Sequence, residues 1–516
     1  MDLLIGYTGF VGLNLIKHMK PKTLFVNSKN VNEILDREFD TIYCCGVYAE
    51  KWKANKFPEE DSAHIAEIIA NLSRVQCKRF ILISTVDVLN CSSHQYENLE
   101  GNSYYSTLDY STHTYGVNRR RLEEWCFTKF SSCYVCRLPA LFGYGLKKNA
   151  LWDIINNNNI DKLRGHWSFQ WYNIDWLYDD IQDMLENNKY KLVHFVSSPI
   201  RLDSIQKLFF PRIKLSDTQD ILVNYNIAST YYKKRSVEDI FVSMKKFIVQ
   251  VQNNSRLLVS ELGWDLQDDR LVVPWLKSRG ITSTEAVPSK GEWNMDKYTN
   301  IYSAQSILYG EQIQIFKEKD RFMSILESKL QLLESKSTNL IVFGSPMQRL
   351  YGGEESISYF REIGDLCKRY NIVFCLENNS SKYGCNWMTL IKDTVDFVKE
   401  VNHSHVKVNL DTGSMLMENE AYDINPNNID YIGHVQISFP NLSCWDDSYT
   451  NTIKGVVNQL YLQDYSGKIS LEMKANALPF NSIDSFLNLI TESQVSALRP
   501  GPSSLKSLET DIIVRV

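Results

Sequence analysis

The sequence predicts an α/β protein with two domains, an N-terminal doubly wound parallel sheet and a C-terminal (β/α)8 barrel. Three observations support this fold class. Short apolar runs alternate with amphipathic helical stretches, a glycine-rich turn follows the first run, and a second alternation fills the last half of the chain. The 516 residues also exceed one ordinary core, because domains usually have roughly 100–250 residues.

Composition narrows the functional classes. Hydrophobic residues make up 44% and charged residues 23%, as in globular proteins, and the net charge of −5 gives no reason to expect nucleic acid or an anionic membrane as partner. No apolar run approaches the ~20 residues that span a bilayer, and the N-terminus lacks the basic segment of a signal peptide. Eleven scattered cysteines indicate reduced thiols in a cytoplasmic protein, with Cys133 and Cys136 read as buried structural residues.

The N-terminal alternation predicts a parallel sheet covered by helices. The predicted strands are 2–6, 23–26, 41–45, 79–84, 132–138 and 191–196. The predicted helices are 11–19, 62–74 and 118–130.

A glycine turn directly follows the first predicted strand and opens the first helix. Glycine permits a tight turn and a close approach of the backbone to a pyrophosphate, which the helix N-terminus then faces. This placement predicts a Rossmann-type domain that binds a dinucleotide through Gly6, Thr8, Gly9, Phe10, Val11 and Gly12.

The cofactor is predicted to be NAD or NADP. The second strand is followed by Asn27, Ser28 and Lys29, without the acidic residue that binds the ribose 2′-hydroxyl of NAD. Ser28 and Lys29 would tolerate a 2′-phosphate, which favours NADP; the other reading is that they are ordinary loop residues.

Three further segments carry a resemblance to a known family. They are 83–88 with Thr85 at a strand end, Tyr115-Gly-Val-Asn-Arg119, and 137–143 with its Arg-Leu-Pro and terminal glycine. Together with the glycine turn, roughly residues 1–230 resemble the NAD-dependent epimerase/dehydratase family, the extended short-chain dehydrogenases/reductases that act on sugar nucleotides.

The resemblance implies that Thr85 positions the substrate oxygen and that Tyr115 is the acid/base. A tyrosine of pKa ~10 needs a nearby cation to act near neutral pH. The family uses lysine, whereas this chain has Arg119, which could still stabilise the Tyr115 phenolate and donate to the ribose although its planar guanidinium is bulkier than an ammonium. Two alternatives follow: an active redox site, or a domain that binds the cofactor without redox chemistry.

Domain boundaries follow from the two alternations. We expect the Rossmann domain over 1–235, a linker helix over 236–254, the barrel over 255–492 and a C-terminal extension over 493–516. Eight predicted strands fill the barrel, which matches the (β/α)8 fold: 256–260, 280–285, 301–307, 339–344, 372–376, 406–410, 432–438 and 468–471.

Four barrel strands carry possible metal ligands, namely Glu377, Asp411, His434 and Glu472. The carboxyl ends of barrel strands meet at one face, so these side chains are expected to converge. Three carboxylates and an imidazole suit a divalent cation such as Mn²⁺, Mg²⁺, Co²⁺ or Zn²⁺. Such an ion polarises a carbonyl and the adjacent hydroxyl for enediol chemistry, with Glu377 and Glu472 as the proton-transfer pair.

This order of Glu, Asp, His and Glu over roughly residues 255–490 resembles the sugar phosphate isomerase/epimerase family of xylose-isomerase-like TIM barrels. Two departures concern substrate contacts. The resemblance implies a histidine soon after Asp411, where this chain has Ser414, and a second acid shortly after Glu377, where it has none.

Other side chains are assigned more openly. Glu285 and Gln305 are expected at the same mouth, and Arg349 either binds an anionic substrate group or is a surface loop charge. His403 and His405 precede the sixth strand and are read as structural.

The leading hypothesis is a bifunctional carbohydrate-modifying enzyme, in which a nicotinamide-dependent sugar epimerase, dehydratase or reductase is joined to a metal-dependent sugar isomerase/epimerase. The expected partner is a sugar or nucleotide sugar, and both resembling families make a homodimer possible. The alternative is a non-catalytic NAD(P)-binding sensor attached to one active barrel. A DNA-repair nuclease of the same barrel family is disfavoured, because it needs more histidine ligands and a basic groove.

Overall fold

The computed structural model describes residues 1–89, 113–187, 190–220, 222–229, 232, 235–287, 300–353, 355–420, 426–475 and 479–497. The chain forms two compact units, 1–248 and 249–516. The division falls inside the helix Val237–Asn253, in the region of the predicted linker helix.

The N-terminal unit contains short strands and helices in alternation. Its strands are β1 Leu3–Ile5, β2 Leu24–Val26, β3 Glu38–Cys44, β4 Gln76–Thr85, β5 Cys133–Leu138, β6 Ala140–Phe142, β7 Ser168–Asn173, β8 Leu192–His194 and β9 Pro199–Arg201. Its helices are α1 Phe10–Leu15, α2 Lys51–Lys56, α3 Pro58–Ser73, α4 Thr114–Lys129, α5 Ala150–Ile155, α6 Leu177–Asn187, α7 Leu202–Phe209 and α8 Val237–Asn253.

The main sheet is parallel and has the strand order β2-β1-β3-β4-β5-β8. These six strands coincide with the six predicted ones, so the predicted parallel α/β sheet is confirmed. The chain leaves β1 toward β2 on one side and then crosses to β3 on the other. In such sheets the crevice at the carboxyl ends of the two diverging strands is where ligands bind.

Burial explains why the strands are continuous apolar runs. Strand β5 is buried along its whole length, as expected for a parallel sheet covered on both faces. Cys133 and Cys136 lie in this strand, and burial raises the pKa of each thiol far above its ordinary value. A raised thiol pKa disfavours the thiolate that metal binding or redox chemistry requires, which agrees with structural cysteines.

A second, small sheet lies in the part of the unit where the sequence pattern is irregular. Strand β7 pairs in parallel with β6 and antiparallel with β9. Helix α8 covers this region, and its residues Ile240 and Phe247 share a buried cluster with Phe142 and Trp171. The cluster gives the irregular segment its own apolar core.

The C-terminal unit is a (β/α) barrel. Its strands are β10 Leu257–Val259, β11 Ser283–Ala286, β12 Asn300–Ala304, β13 Leu340–Phe343, β14 Val373–Glu377, β15 Val406–Asp411, β16 Ile432–Ile437 and β17 Ile469–Leu471. Its helices are α9 Asp269–Ser278, α10 Lys319–Glu334, α11 Ile357–Arg369, α12 Ile391–Val401, α13 Thr412–Met417, α14 Thr450–Leu462 and α15 Phe480–Ala497.

The barrel strands are all parallel and neighbours in the sheet follow the order β10-β17-β16-β15-β14-β13-β12-β11. A parallel bridge between Ser260 and Glu285 joins the two outer strands and brings the barrel close to closure. Each strand overlaps a predicted one, so the predicted eight-stranded barrel is confirmed. Closure sends the carboxyl ends of all eight strands to one mouth.

The end of the described chain is helical. Helix α15 continues to Ala497, past the position at which the C-terminal extension was expected to begin, and residues 498–516 lie outside the described part. No helix in the described part of the chain is long and apolar enough to cross a membrane.

Candidate functional site

The glycine turn of the N-terminal unit brings the ends of β1 and β3 into backbone contact. Gly6 has a φ of +79°, and a Cβ there would lie 2.6 Å from the Cα of Gly46. A Cβ on Gly12 would lie only 2.2 Å from the carbonyl oxygen of Gly6. The turn is closed by a hydrogen bond from Gly9 N to Gly6 O of 3.0 Å. The turn from Gly6 to Gly12 therefore forms a glycine cradle, in which Gly6 and Gly12 have no room for side chains, at the point where the strand order diverges.

The remaining predicted cofactor residues lie around this cradle. Thr8 is exposed in the turn, and Phe10 and Val11 begin α1. The hydrogen bond from Gly6 N to Val26 O, 2.7 Å, joins the turn to the end of β2, from which the chain continues into 27–29. A dinucleotide bound as the sequence predicts would have its pyrophosphate at this glycine backbone and its adenosine ribose at the loop after β2.

The loop after β2 has a defined conformation with exposed tips. Asn27 Oδ1 accepts a hydrogen bond of 2.8 Å from Lys29 N, and Asn27 N donates one of 2.9 Å to Asn30 Oδ1. Because Asn27 is used to shape its own turn, Ser28 and Lys29 are the side chains left exposed here.

Thr85 and Tyr115 meet at the carboxyl end of β4. Thr85 ends β4, while Tyr115 lies in the first turn of α4 and is 6% exposed. Burial raises the pKa of Tyr115 to about 12, although Arg119 and a hydrogen bond with Thr85 act in the opposite direction. The structure therefore brings the two predicted catalytic hydroxyls together but keeps the phenol protonated near neutral pH.

Arg119 is held in a buried ion pair. Its Nη1 donates to Asp61 Oδ2 and its Nη2 to the carbonyl of Tyr48. The guanidinium lies over the ring of Tyr115, 4.0 Å from the centroid, rather than beside the phenol oxygen. Two of its three nitrogens are thus occupied by the protein, which limits what Arg119 can donate to a ribose.

A second polar network near Tyr115 was not predicted from the sequence. Asp87 Oδ1 accepts from Lys51 Nζ at 2.7 Å and from the hydroxyl of Tyr225 at 2.8 Å. Asp87 is one of the charges acting on the pKa of both Tyr115 and His113. These residues are far apart in sequence, so no local motif joins them.

The Arg-Leu-Pro segment that begins at Arg137 has a structural role. Arg137 forms a two-bond ion pair with Glu123, with Nη2 to Oε2 at 2.6 Å and Nε to Oε1 at 3.1 Å. Both side chains are fully buried, and Ser84 Oγ also donates to Glu123. The pair therefore fixes α4, which carries Tyr115, against β4 and β5.

In the barrel, three predicted acidic residues lie at the mouth. Glu377 is the last residue of β14, Asp411 is the last of β15, and Glu472 directly follows β17. Asp411 and Glu472 are buried, at 4% and 6% exposure, whereas Glu377 is partly exposed. Parallel strands ending at one face place these carboxylates in a single acidic cluster.

The carboxylates of this cluster affect one another. Burial and then the charge of Asp411 raise the pKa of Glu377 to about 8. Burial, followed by Glu377 and Asp411, raises the pKa of Glu472 well above its ordinary value. The pKa of Asp411 is raised by burial as well, against hydrogen bonds from Ser438 and Ser414. Such groups share protons readily, which is a property of acid/base sites.

Asp411 has a fixed orientation. Its Oδ1 accepts from Ser414 N at 2.7 Å and caps α13, and its Oδ2 accepts from Ser438 Oγ. The resemblance implies a histidine at the position of Ser414. In this chain Ser414 instead donates its backbone N–H to the Asp411 carboxylate, and no second imidazole stands at this position.

His434 lies deeper than the three acids. It is in register with Asn409, whereas the β16 residue in register with Asp411 is Gln436. The Nε2 of His434 is 2.9 Å from Glu285 Oε2, and its Nδ1 is buried without a hydrogen-bond partner among the described residues. The structure therefore places this predicted ligand inside the barrel, fully buried and with its Nε2 already paired with Glu285.

Glu285 is the centre of a polar layer beneath the mouth. It is fully buried, and its carboxylate accepts from four side chains besides His434. These are Gln436 at 2.8 Å, Ser303 at 3.1 Å, Gln305 at 3.2 Å and Ser470 at 3.4 Å. Glu285 and Gln305 thus support the mouth from below.

A metal ion at the mouth would depend on the carboxylates of the acidic cluster. In the part of the chain that the structure describes, no three His, Cys, Asp or Glu side chains are grouped as ligands of one ion. The donor chemistry of the acidic cluster nevertheless suits a hard divalent cation, because nearby carboxylate charges raise the pKa of Glu377 and of Glu472 and a cation would offset that repulsion. Glu377, Asp411 and Glu472 are the side chains that would hold it.

Two more side chains face the acidic cluster. Tyr383 accepts a hydrogen bond of 3.1 Å from Asn441 N, and burial together with the cluster raises its pKa to about 12. Arg349 is completely buried, so its reading as a surface loop charge is wrong. Arg349 lies in the loop after β13, and Tyr383 lies in the loop after β14. Strand periodicity could not predict these positions, because they depend on the path of the two loops.

The two histidines before β15 lie away from the mouth, as their position at the amino end of that strand requires. His403 Nε2 is 3.2 Å from Asp365 Oδ1, and His405 Nδ1 is 3.0 Å from Ser404 Oγ. These contacts are with α11 and with the turn into β15.

Comparison with known protein families gives one match, which lies within the barrel. Residues 318–489 match the model of the family described as xylose isomerase-like TIM barrel, as the sequence pattern predicted. The match covers a third of the chain. A search of the curated proteins found no match.

Solved structures resemble each half. The 3-keto-D-glucoside 4-epimerase YcjR from E. coli is 15% identical with a TM-score of 0.34, and 46% of this chain and 99% of that chain are covered. The UDP-N-acetylglucosamine 4-epimerase from Methanobrevibacter ruminantium is 11% identical with a TM-score of 0.38, and the match covers 47% of this chain and 94% of that chain. The D-psicose 3-epimerase from Clostridium cellulolyticum is 15% identical with a TM-score of 0.34, and the match covers 47% of this chain and 97% of that chain.

Proposed function

We propose that this chain is a bifunctional carbohydrate-modifying enzyme, whose barrel isomerises or epimerises a sugar next to its carbonyl and whose N-terminal unit acts on a sugar or nucleotide sugar with NAD or NADP. The observation that carries the proposal is the acidic cluster of Glu377, Asp411 and Glu472 at the barrel mouth. The proposal also includes a divalent metal at this cluster. It includes a cytoplasmic location as well, which the free thiols favour.

The barrel chemistry follows from the two glutamates. Glu377 on β14 and Glu472 after β17 approach the mouth from different strands. One carboxylate removes the proton from the carbon beside the substrate carbonyl, which gives an enediolate and a protonated glutamate, and the other glutamate, in its protonated form, returns a proton to the opposite face or to the neighbouring carbon. Their raised pKa values suit proton transfer near neutral pH. A divalent ion, when bound, would polarise the carbonyl and stabilise the enediol oxygens.

Asp411 and the surrounding groups position this chemistry. Asp411 is held by Ser414 and Ser438, so its carboxylate cannot swing out of the cluster. Tyr383 brings a protonated hydroxyl to the same cluster, where it can donate to a substrate oxygen. The mouth thus combines two glutamates that can carry protons with a fixed aspartate and a tyrosine hydroxyl.

The N-terminal unit supplies the nicotinamide site of the proposal. The glycine cradle around Gly6 and Gly12 would hold the dinucleotide, whose chemistry is hydride transfer with a carbinol or ketone. Thr85 would orient the substrate oxygen, and Tyr115 would exchange its proton with that oxygen. A ketone formed here is a chemically suitable substrate for the barrel.

A second candidate function is favoured by the state of Arg119. The ion pair with Asp61 holds the guanidinium against the ring of Tyr115, and the phenol keeps a pKa of about 12. Under this alternative the N-terminal unit binds NAD(P) without redox turnover and acts as a sensor, and the barrel is the only active enzyme.

The first experiment measures both ligands on the purified full chain. Bound metal is determined by mass spectrometry after dialysis against Mn²⁺, and NADPH and NADH are titrated by fluorescence. Wild type should retain about one divalent ion and bind a nicotinamide cofactor. The double variant Glu377→Gln/Glu472→Gln should lose the ion and keep the cofactor. A double variant of the exposed residues Glu362 and Glu400, also to glutamine, should match wild type.

The second experiment detects the chemistry without knowing the product. A panel of ketoses and aldoses is incubated in D₂O, and deuterium at the carbon beside the carbonyl is measured by NMR. Wash-in by wild type and its loss in the glutamine double variant would support enediol chemistry. Retention of the ion and of wash-in by the double variant would refute the assignment of the cluster.

The sensor alternative is separated from the leading proposal by one variant. Arg119→Lys restores the cation that the family resemblance implies. If wild type binds NADPH but reduces no keto sugar and the variant does, the sensor reading holds. If wild type already turns over, the redox reading holds.

A further inference from the structure

Arg349 is a buried cation without a partner. Its side chain has no exposed surface, and its three guanidinium nitrogens make no hydrogen bond within the described part of the chain. An arginine offers five N–H donors in a planar fork, and buried charges in proteins are normally paired because their desolvation is costly. An arginine held in this state indicates a site prepared for a ligand.

The loop that carries Arg349 is anchored on both sides of it. Gln348 O accepts from Ile315 N at 2.9 Å, and Leu350 N donates to Gln314 Oε1 at 3.3 Å. These bonds fix the backbone that flanks Arg349, so the guanidinium is presented from a rigid element. Rigid placement of a binding group lowers the entropy lost when a ligand is bound.

The guanidinium faces the acidic cluster. Its charge acts to lower the pKa of Glu377. Gly344, at the start of the same loop, also lies close to Glu377, because a Cβ added to Gly344 would be 3.0 Å from Oε1 of that carboxylate. On the other side the ring of Trp387 lies 5.9 Å from the guanidinium carbon. Arg349 therefore lies beside the proposed proton-transfer residue, with an aromatic ring as neighbour.

Neutralisation of the cluster does not account for Arg349. A counterion for Glu377 would donate to its carboxylate, yet those oxygens accept from Asn379 and, at 3.3 Å, from Asn409. The fork of Arg349 is left open although a carboxylate is nearby. The unfilled fork suits two oxygens of a carboxylate or a phosphate, which guanidinium binds through two parallel hydrogen bonds.

We propose that Arg349 binds an anionic group, a carboxylate or a phosphate, on the sugar substrate of the barrel. This inference rests on the proposed isomerase/epimerase function of the same mouth and narrows its substrate to acidic or phosphorylated sugars. Bidentate binding of that group would hold the sugar with its carbonyl toward the acidic cluster.

The test uses the full chain in EDTA, so that its outcome does not depend on a metal. Inorganic phosphate and acetate are added as probes, and melting temperature and heat of binding are measured. At least one probe should raise the melting temperature of wild type. Arg349→Met should lose at least about tenfold in affinity for that probe, while its melting temperature without probe is unchanged or higher, because an unpaired buried charge has been removed.

Arg279 provides the matched control. It is also a fully buried barrel arginine, but it is paired with Asp484 and stacked on Trp275. Arg279→Met should lower the melting temperature and keep the response to the probe. If Arg349→Met instead behaves like Arg279→Met, Arg349 is structural and the proposal is wrong.

Two further arms identify the anion. Arg349→Lys should bind the probe more weakly than wild type but better than Arg349→Met, since a point charge replaces the fork. Fructose, fructose 6-phosphate and glucuronate are then compared: preference for the phosphate or for the uronate over the neutral sugar identifies the group, and equal affinity for all three overturns the proposal. Deuterium wash-in and metal binding test the proposed function separately from this result.

Discussion

Substituting the last glycine of the turn tests the nicotinamide site most directly. A Cβ at Gly12 would lie 2.2 Å from the carbonyl oxygen of Gly6, whereas real Cβ contacts essentially never fall below 3.0 Å. The backbone must therefore open by about 0.8 Å. Gly6 cannot yield freely, because its own Cβ position is filled by Gly46 and its carbonyl accepts from Gly9 N.

The magnitude follows from these contacts. Overpacking of a rigid backbone costs about 1–3 kcal/mol, and loss of the hydrogen bond across the turn adds about 1 kcal/mol. Gly12→Ala should therefore lower the free energy of unfolding of the N-terminal unit by about 2–4 kcal/mol in urea denaturation. A cradle displaced by that much should also weaken NADPH binding at least about tenfold, measured by fluorescence titration.

A graded series provides the controls. Gly9→Ala meets the carbonyl of Gly6 at 3.3 Å and should have a smaller effect on both measurements. Gly455→Ala lies in helix α14 with nothing within 4 Å and should leave cofactor affinity unchanged and stability equal or higher. If Gly12→Ala binds NADPH like wild type at unchanged stability, the turn is not the cofactor cradle.

Three other predictions concern buried charges. Arg137→Met leaves the buried Glu123 carboxylate without the guanidinium of Arg137 and should lower the free energy of unfolding by about 3–5 kcal/mol in urea denaturation. Arg119→Lys loses the planar fork beside Tyr115 and should reduce that free energy by about 1–2 kcal/mol, with NADPH affinity within about threefold of wild type by fluorescence titration. Because the pKa of Glu377 is raised to about 8, the metal-free folded barrel holds a proton that the unfolded chain releases at lower pH. The free energy of unfolding should therefore fall as pH rises from about 4.5 through 8. Urea titrations across this pH range should show a flatter slope for Glu377→Gln.

Each of these predictions has a matched control. Arg120 forms a partly exposed pair with Glu124 on the same helix, and Arg120→Met should cost less than about 1 kcal/mol. Arg121→Lys, at an exposed position, should change neither stability nor cofactor affinity. Glu362→Gln, also exposed, should keep the pH slope. Equal effects of a buried substitution and its exposed control would contradict the assigned ion pair or the raised pKa.

The fold class could be read from the sequence because burial leaves a local signature. A strand buried on both faces must be apolar along its length, as β5 is, and glycine is required where backbones touch, as at Gly6 and Gly12. Acidic residues directly after apolar runs could likewise be assigned to the mouth, because strand ends meet there in any closed parallel barrel. For this reason Glu377, Asp411 and Glu472 were predicted to lie together.

Partners across the fold could not be read in the same way. His434 ends in the interior because strand register pairs Gln436 with Asp411, and register is set by neighbouring strands. Arg119 is captured by Asp61, 58 residues earlier in the chain. Such pairs depend on how helices and loops pack, which no local pattern records.

The sequence by itself determined the two α/β architectures, the glycine cradle and the acidic strand ends, since each depends on residues that are close in the chain. Only the tertiary structure decided that Arg349 is buried with an open fork, that Asp87 joins Lys51 and Tyr225, and that His434 lies beneath the mouth. The physical reason is that burial and charge pairing are properties of the folded surroundings: a loop arginine is solvated or desolvated according to the path of loops around it.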